Sequence, residues 1–89
     1  MMTKVLTAEE LRKVPRARSV WVEFYDGELG RSTTLMAAMK CKDGSLVDED
    51  TNVYTNFEKD MTPDAENNCW RFWNRKPKPE ERKRTKWEI

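Results

Sequence analysis

The tryptophans near the C-terminal end of this chain constrain its fold more than any other feature. Three of the four, Trp70, Trp73 and Trp87, lie close together and are interleaved with basic residues. Tryptophan combines a large apolar surface with one N–H group, so its burial contributes much to a core or an interface. The cluster is therefore either the centre of a small core or a surface that binds a partner.

The length of the chain predicts a single domain, residues 1–89, because so short a chain has no room for a second core. Hydrophobic residues make up 37% of it and aromatic residues 10%, which is too many aromatics for a disordered chain. No apolar run approaches the ~20 residues of a membrane span. The N-terminal residues also lack the apolar stretch of a secretory signal. We therefore predict a cytoplasmic protein.

Alternating apolar and β-branched residues predict several strands. The clearest covers residues 19–25 and ends at the turn signal Asp26-Gly27. A second strand is predicted over residues 33–42, although residues 35–39 alone would suit a helix equally well. The remaining segments are predicted to be strands over residues 45–47, 53–57 and 69–75, and a loop over residues 58–68.

Short helices are predicted near both ends of the chain. Thr7 and Glu10 have the spacing of a capping box, and Pro15 ends the helix that follows. Pro79 suits the first position of a second helix, which has acidic residues in its first turn and basic residues toward its end. Trp87 is expected to pin this second helix to the sheet.

These elements predict a mainly β (α+β) fold. We expect a small antiparallel sheet, or an SH3-like or OB-like barrel, of about five strands with short N- and C-terminal helices. Trp70 and Phe72 share one face of the last strand and are expected in the core. A helix that covers the other face would account for Trp21, Tyr25 and Trp73 without any ligand.

The residue types give no support to catalysis. The chain has no histidine, which removes the commonest general base near neutral pH. No serine or cysteine lies in the glycine pattern of a nucleophile elbow, and the three glycines do not form a phosphate-binding loop. We therefore predict a protein that is not an enzyme and has no cofactor.

Metal binding is not predicted either. Cys41 and Cys69 cannot complete a four-ligand zinc site without histidine. We expect free, buried thiols, with a disulfide as the alternative if the two cysteines meet on neighbouring strands. Asp48, Asp50 and Asn52 match the first half of a calcium loop, but the second half lacks its glycine and glutamate.

Charge is unevenly distributed, although the net charge is only +1. Residues 43–66 are strongly acidic and residues 71–86 are strongly basic. This asymmetry predicts either a polyanionic partner or an acidic middle that folds back over the basic end of the same chain.

Two blocks of sequence carry a resemblance to a known family. The first is the pattern Trp70-Arg71-x-Trp73-x-x-Lys76-Pro77-x-x-Glu80-x-Arg82, and the second is Lys4-Val5-Leu6-Thr7-x-Glu9-Glu10 followed by Val20-Trp21-Val22-Glu23. Together they resemble small phage and prophage proteins of Gram-positive gut bacteria, a family with no established activity. Relatives often have Tyr-Gly-Lys where this chain has Asn67-Asn68-Cys69. The resemblance implies a phage gene product that acts inside a bacterium, and it implies no mechanism.

A candidate binding face follows from the alternation of the last strand. Arg71, Trp73 and Arg75 share one face, and Trp21 and Tyr25 would be their neighbours if the first and last strands pair. Buried guanidinium groups need partners, whereas exposed ones bind carboxylate or phosphate and stack on aromatic rings. We therefore predict a docking face here, with a core position for every tryptophan as the alternative.

Three functions fit such a face. The leading hypothesis is a phage accessory or anti-defence factor that binds a host protein through aromatic and arginine anchors. The second is a nucleic-acid-binding module, in which Lys76, Lys78 and Arg82 extend the basic surface. The third is sequestration of a small nucleotide signal by the same aromatic residues. The oligomeric state is left open.

Overall fold

The computed structural model describes residues 2–89, within which it contains five strands and three short helices. In chain order the elements are α1 (Ala8–Lys13), β1 (Ser19–Asp26), β2 (Arg31–Lys40), β3 (Leu46–Asp48), β4 (Val53–Tyr54), α2 (Phe57–Met61), β5 (Cys69–Trp73) and α3 (Pro79–Arg84). The strands form one antiparallel sheet in the order β4-β3-β2-β1-β5, which curls into a half-barrel. The predicted mainly β fold is confirmed.

The hairpin of β1 and β2 is the centre of the sheet. Asp26 organises its turn, because its side chain accepts hydrogen bonds from the backbone N–H groups of Glu28 and Leu29. Gly30 follows with a φ of +70°, a left-handed conformation that glycine adopts at no steric cost. The strand predicted over residues 33–42 is confirmed, with its bounds shifted toward the turn.

The first face of the sheet carries the hydrophobic core, which α1 and α2 cover. Phe72 is fully buried there and packs edge-on against Tyr54, at 5.5 Å between ring centroids, and against Phe57, at 6.0 Å. Trp70 lies at the margin of this core, partly exposed, with its ring 4.4 Å from that of Phe24. The core position predicted for Phe72 is confirmed, and Trp70 packs against the core rather than inside it.

The N-terminal segment extends the sheet beside β5. Leu6 donates its N–H to the Phe72 carbonyl, and Asn74 donates its N–H to the Lys4 carbonyl. The capping box predicted for α1 is present, since Thr7 and Glu10 each accept a hydrogen bond from the backbone N–H of the other. This pairing ties the first residues to the last strand.

The region between β4 and β5 differs from the prediction. The strand expected over residues 53–57 stops at Tyr54, and α2 begins at Phe57 and extends into the segment expected to be a loop. The Asn56 side chain accepts the N–H of Lys59, which caps the new helix. Phe57 is thereby buried on the core instead of continuing the strand.

The C-terminal helix forms as predicted, with Pro79 in its first turn. It lies over the second face of the sheet, where Trp87 packs against Tyr25 at 5.2 Å between ring centroids. The predicted role of Trp87 in pinning this segment is therefore confirmed. None of the helices within residues 2–89 is long and apolar enough to cross a bilayer.

Candidate functional site

The second face of the sheet brings the predicted site residues of β1 and β5 together. The two strands pair directly, with Trp21 opposite Trp73 and Tyr25 opposite Cys69. Between these pairs, Glu23 lies opposite Arg71. The pairing of the first and last strands, on which Trp21 and Tyr25 depended as neighbours of the site, is therefore present. It also brings the carboxylate of Glu23 into the site, which the sequence analysis did not include.

Glu23 is the centre of a buried polar network, and its side chain is 1% exposed. Its Oε1 accepts hydrogen bonds from Arg71 Nε at 2.6 Å and from the Trp73 indole at 2.9 Å. Its Oε2 accepts from Ser32 Oγ at 2.7 Å and from Arg82 Nε at 3.0 Å. Four donors thus satisfy one buried carboxylate, as a charge removed from water requires.

Arg71 is held equally tightly by the C-terminal segment. Two of its guanidinium nitrogens donate to backbone carbonyls, that of Thr85 at 2.6 Å and that of Arg82 at 3.1 Å. Its guanidinium carbon lies 4.0 Å from the ring centroid of Trp87 and 5.0 Å from that of Trp73. All three guanidinium nitrogens of Arg71 therefore donate hydrogen bonds, and the group also lies against two aromatic rings.

The structure corrects the geometry of the predicted docking face. Arg71 and Trp73 are buried beneath the C-terminal segment, so neither is presented to a partner. The physical reason is Glu23, which supplies the partner that a buried guanidinium needs. Arg75 lies beyond the end of β5, exposed, and its Nε donates to Thr3 Oγ1 at 2.8 Å. The three residues do not form one exposed surface.

Burial and hydrogen bonding act in opposite directions on the pKa of Glu23. Burial is the largest influence and by itself raises the pKa. The hydrogen bonds from Arg71, Ser32 and Trp73, together with the charge of Arg71, outweigh it and lower the pKa below its usual value. Glu23 is therefore ionised at neutral pH.

The C-terminal segment covers only part of the second face. On the part formed by β2, β3 and β4, Met39, Val47 and Val53 lie in register and form one apolar row across three strands. Met39 is 51% exposed and Val53 is 58% exposed. Half-buried residues continue the row toward β1; we call the whole set the open apolar face, and it consists of Trp21, Leu35, Ala37, Met39, Val47 and Val53.

Sequence reasoning missed the open apolar face, although the signal was present. In β2 both alternating sets are apolar, with Met36 and Ala38 on the core side and Leu35, Ala37 and Met39 on the other. A strand that is apolar on both faces needs a cover on each. Trp21 forms the β1 edge of the open apolar face, and the Lys76 ammonium lies 5.2 Å from the centroid of the Trp21 ring.

The residues that resemble a calcium loop have a structural role. The carboxylate of Asp48 accepts hydrogen bonds from the backbone N–H groups of Asp50 and Asn52. It also accepts the Tyr54 hydroxyl at 2.6 Å. These bonds shape the turn between β3 and β4. Among residues 2–89, no group of three or more acidic, cysteine or histidine side chains is arranged to hold a metal ion.

The two cysteines do not meet. Cys69 pairs with Tyr25 at one end of β1, whereas Cys41 follows the residues that pair with the other end. β1 also separates the two strands concerned. Both thiols are free; Cys69 is buried as expected, whereas Cys41 is only partly buried. The disulfide alternative depended on neighbouring strands, and this condition is not met.

Asp60 in α2 has a partly buried carboxylate that is expected to destabilise the folded protein. Its Oδ2 is buried without a hydrogen-bond partner in the described structure, and burial raises the pKa of its carboxyl group. Asp60→Asn should therefore stabilise the protein at pH 7, by no more than about 1 kcal/mol. The gain should shrink as the pH falls through the raised pKa of Asp60, because the wild-type side chain then becomes neutral in the folded state.

Urea denaturation of both proteins at several pH values measures this effect. Asp64→Asn is the matched control, since the Asp64 carboxylate is exposed and already accepts the N–H groups of Glu66 and Asn68. An Asp60→Asn variant that is less stable than the wild type at pH 7 would contradict the expectation.

The fold and the site define a class: a small antiparallel β protein with a half-barrel sheet. One face of the sheet carries a charged network buried beneath the C-terminal segment, and the open apolar face lies beside this network. Comparison with protein-family models, curated proteins and solved structures finds no match.

Proposed function

We propose that this protein is a non-enzymatic binding protein that attaches to another protein through the open apolar face. The observation that carries the proposal is the row of Met39, Val47 and Val53, which crosses three strands and leaves two large side chains more than half exposed. Contiguous exposed apolar surface on a small protein is typical of an interaction site.

The chemistry of the face specifies the partner. Methionine adapts its shape to an irregular apolar surface, and Trp21 at the border supplies an aromatic anchor of the kind that is enriched in interface centres. Lys76 lies over the Trp21 ring and is exposed. We therefore expect a partner surface with an apolar centre and a carboxylate opposite Lys76.

The biological setting is part of the proposal. The resemblance to phage and prophage proteins favours a bacterial host protein as the partner, and a phage accessory or anti-defence role. Burial of Arg71 and Trp73 weighs against the alternatives that used these two residues to contact nucleic acid or to clamp a nucleotide. The open apolar face needs neither of them.

The experiment compares capture of host proteins by matched variants. Met39→Asp and Val53→Asp introduce a charge into the centre of the face, and Leu29→Asp introduces the same charge at an exposed leucine in the β1–β2 turn. Each immobilised protein is incubated with bacterial lysate, and bound proteins are quantified by mass spectrometry. Far-ultraviolet circular dichroism verifies that all variants are folded.

We expect one protein to be retained by the wild type and by Leu29→Asp, and lost from both face variants. Loss of a central contact should weaken binding by about 2 kcal/mol or more, roughly thirtyfold. Equal retention by all four proteins would place the interface elsewhere. Self-association of the wild type in sedimentation, abolished by Val53→Asp, would identify a second copy of this chain as the occupant instead.

A further inference from the structure

A second candidate site lies at the other end of the β1–β2 hairpin. Here the hairpin and the C-terminal segment form an open cleft of about 520 Å³. We call it the C-terminal cleft; its polar and aromatic lining consists of Tyr25, Arg31, Ser32, Arg82, Lys83, Lys86, Thr85 and Trp87. It does not overlap the open apolar face.

The lining of the C-terminal cleft is strongly positive. It includes four cationic side chains, and within residues 2–89 it includes no aspartate or glutamate. Arg31, Lys83 and Lys86 form no ion pair in the described part of the chain. Cations that converge on a concave surface create a potential that concentrates anions.

Two acidic residues near the cleft, Glu23 and Asp26, already accept hydrogen bonds within the fold. Glu23 lies beneath the cleft and forms ion pairs with two arginines, so the net charge of these three side chains is positive. The Asp26 side chain accepts two backbone N–H groups in the hairpin turn. Glu88 lines a different cleft, beside Val5 and Thr7. These three carboxylates therefore do not neutralise the lining of the cleft.

Arg82 is also held in position at the floor of the cleft. Its Nε donates to Glu23 and one terminal nitrogen donates to Ser32 Oγ at 2.9 Å. A guanidinium has five N–H donors, so the remaining ones stay available while the group is fixed. A cation held in place by other contacts loses less entropy when it binds a ligand.

We propose that the C-terminal cleft binds phosphate groups, carried either by a free nucleotide or by a single-stranded nucleic acid. The terminal phosphate of a free nucleotide presents three acceptor oxygens and close to two negative charges, whereas a single strand presents one charge on each of several successive phosphodiesters. Either arrangement fits several converging cations better than one carboxylate does. This site is independent of the proposed protein interface, because it uses Arg31, Lys83 and Lys86 and none of the residues of the open apolar face.

The test measures binding of fluorescein-labelled oligothymidylate by fluorescence anisotropy at low salt. The cleft variant carries Arg31→Ala, Lys83→Ala and Lys86→Ala together. The matched control carries Arg16→Ala, Arg18→Ala and Lys42→Ala, which remove the same charge from exposed positions outside the cleft. Arg82 is left unchanged, because it supports the buried network around Glu23.

We expect the cleft variant to lose at least about tenfold in affinity, with a log–log salt slope reduced by about 2, since each phosphate contact contributes ~0.7 on single strands. The control should lose clearly less. Competition by pyrophosphate or ATP at low concentration would assign the site to free nucleotides, and competition by unlabelled strand alone would assign it to nucleic acid.

Several results would overturn the phosphate site. These are equal losses in the cleft and control variants, failure of the wild type to bind either oligothymidylate or ATP at low salt, and competition by polyglutamate as effective as that by oligothymidylate. The proposed function fails separately, because the Met39→Asp and Val53→Asp variants keep every cation of the cleft and should bind oligothymidylate like the wild type.

Discussion

Replacing Glu23 by glutamine is expected to destabilise the protein by about 3–5 kcal/mol, because removing one partner of a buried ion pair leaves the other charge uncompensated. Arg71 would lose its charged acceptor while remaining buried under Trp87. Arg82 would lose its charged acceptor and keep only the Ser32 hydroxyl as an anchor on the sheet. In a chain of this size such a loss is comparable with the whole free energy of unfolding.

Urea denaturation followed by tryptophan fluorescence measures this loss. Glu28→Gln, at an exposed position in the adjacent turn, is the control and should leave the free energy of unfolding nearly unchanged. A Glu23→Gln variant as stable as this control would show that the network contributes little.

The pH dependence provides a second readout of the same network. The pKa of Glu23 is lowered in the folded protein, so its stabilising effect is present above the unfolded pKa, about 4.3. It is lost as the pH falls through the lower folded pKa. The stability of the wild type should therefore decline in acid, and the decline should be shallower in Glu23→Gln.

A double replacement distinguishes the effect of an unpaired buried charge from the effect of lost packing. Glu23→Leu combined with Arg71→Met removes both charges and retains apolar volume. Buried ion pairs replaced in this way often lose little stability. We expect the double variant to be more stable than either single variant. If it were less stable than both, the loss would come from packing rather than from an unpaired charge.

Phe72→Ala should cost about 3–5 kcal/mol, the usual range for a fully buried phenylalanine. Its ring is packed edge-on between Tyr54 and Phe57, so truncation opens a cavity at the centre of the core. Trp70→Ala removes a larger side chain, but from the margin of the core, where water can occupy part of the space. It should therefore cost less than Phe72→Ala.

Thermal and urea denaturation of the two variants rank these effects. Comparison with Phe24→Ala adds a test of the Trp70 contact, since the two rings are 4.4 Å apart. The Trp70 and Phe24 truncations should be less than additive, because each removes the same contact. A Trp70→Ala loss larger than that of Phe72→Ala would contradict the placement of the core.

The parts of the fold with strong local signals could be predicted from the sequence. β1 and β5 alternate clearly, and the ends of α1 and α3 follow from Thr7 with Glu10 and from Pro79. The helix α2 was missed because residues 53–57 alternate in a pattern that also suits a strand. Its burial against Phe72, a contact distant in sequence, favours the helix.

The candidate site depended more on such distant contacts. Arg71 and Trp73 have the composition of a docking face, and only the pairing with Glu23 on β1 converts them into a buried layer. Glu23 itself was the available signal. It lies between Trp21 and Tyr25 on an otherwise aromatic face, and a carboxylate in that position needs a cationic partner if the face is buried.

During synthesis on the ribosome, the Glu23 carboxylate lacks its arginine and tryptophan partners until β5 and α3 have been made. The β1–β2 hairpin is synthesised before Arg71, Trp73 and Arg82, whose side chains satisfy the Glu23 carboxylate. Folding that depends on contacts so distant in sequence is slow and must await those residues. A nascent or truncated chain ending before β5 would keep this face hydrated and its backbone open to proteases. The charged layer thus couples the folding of this face to the synthesis of β5 and α3.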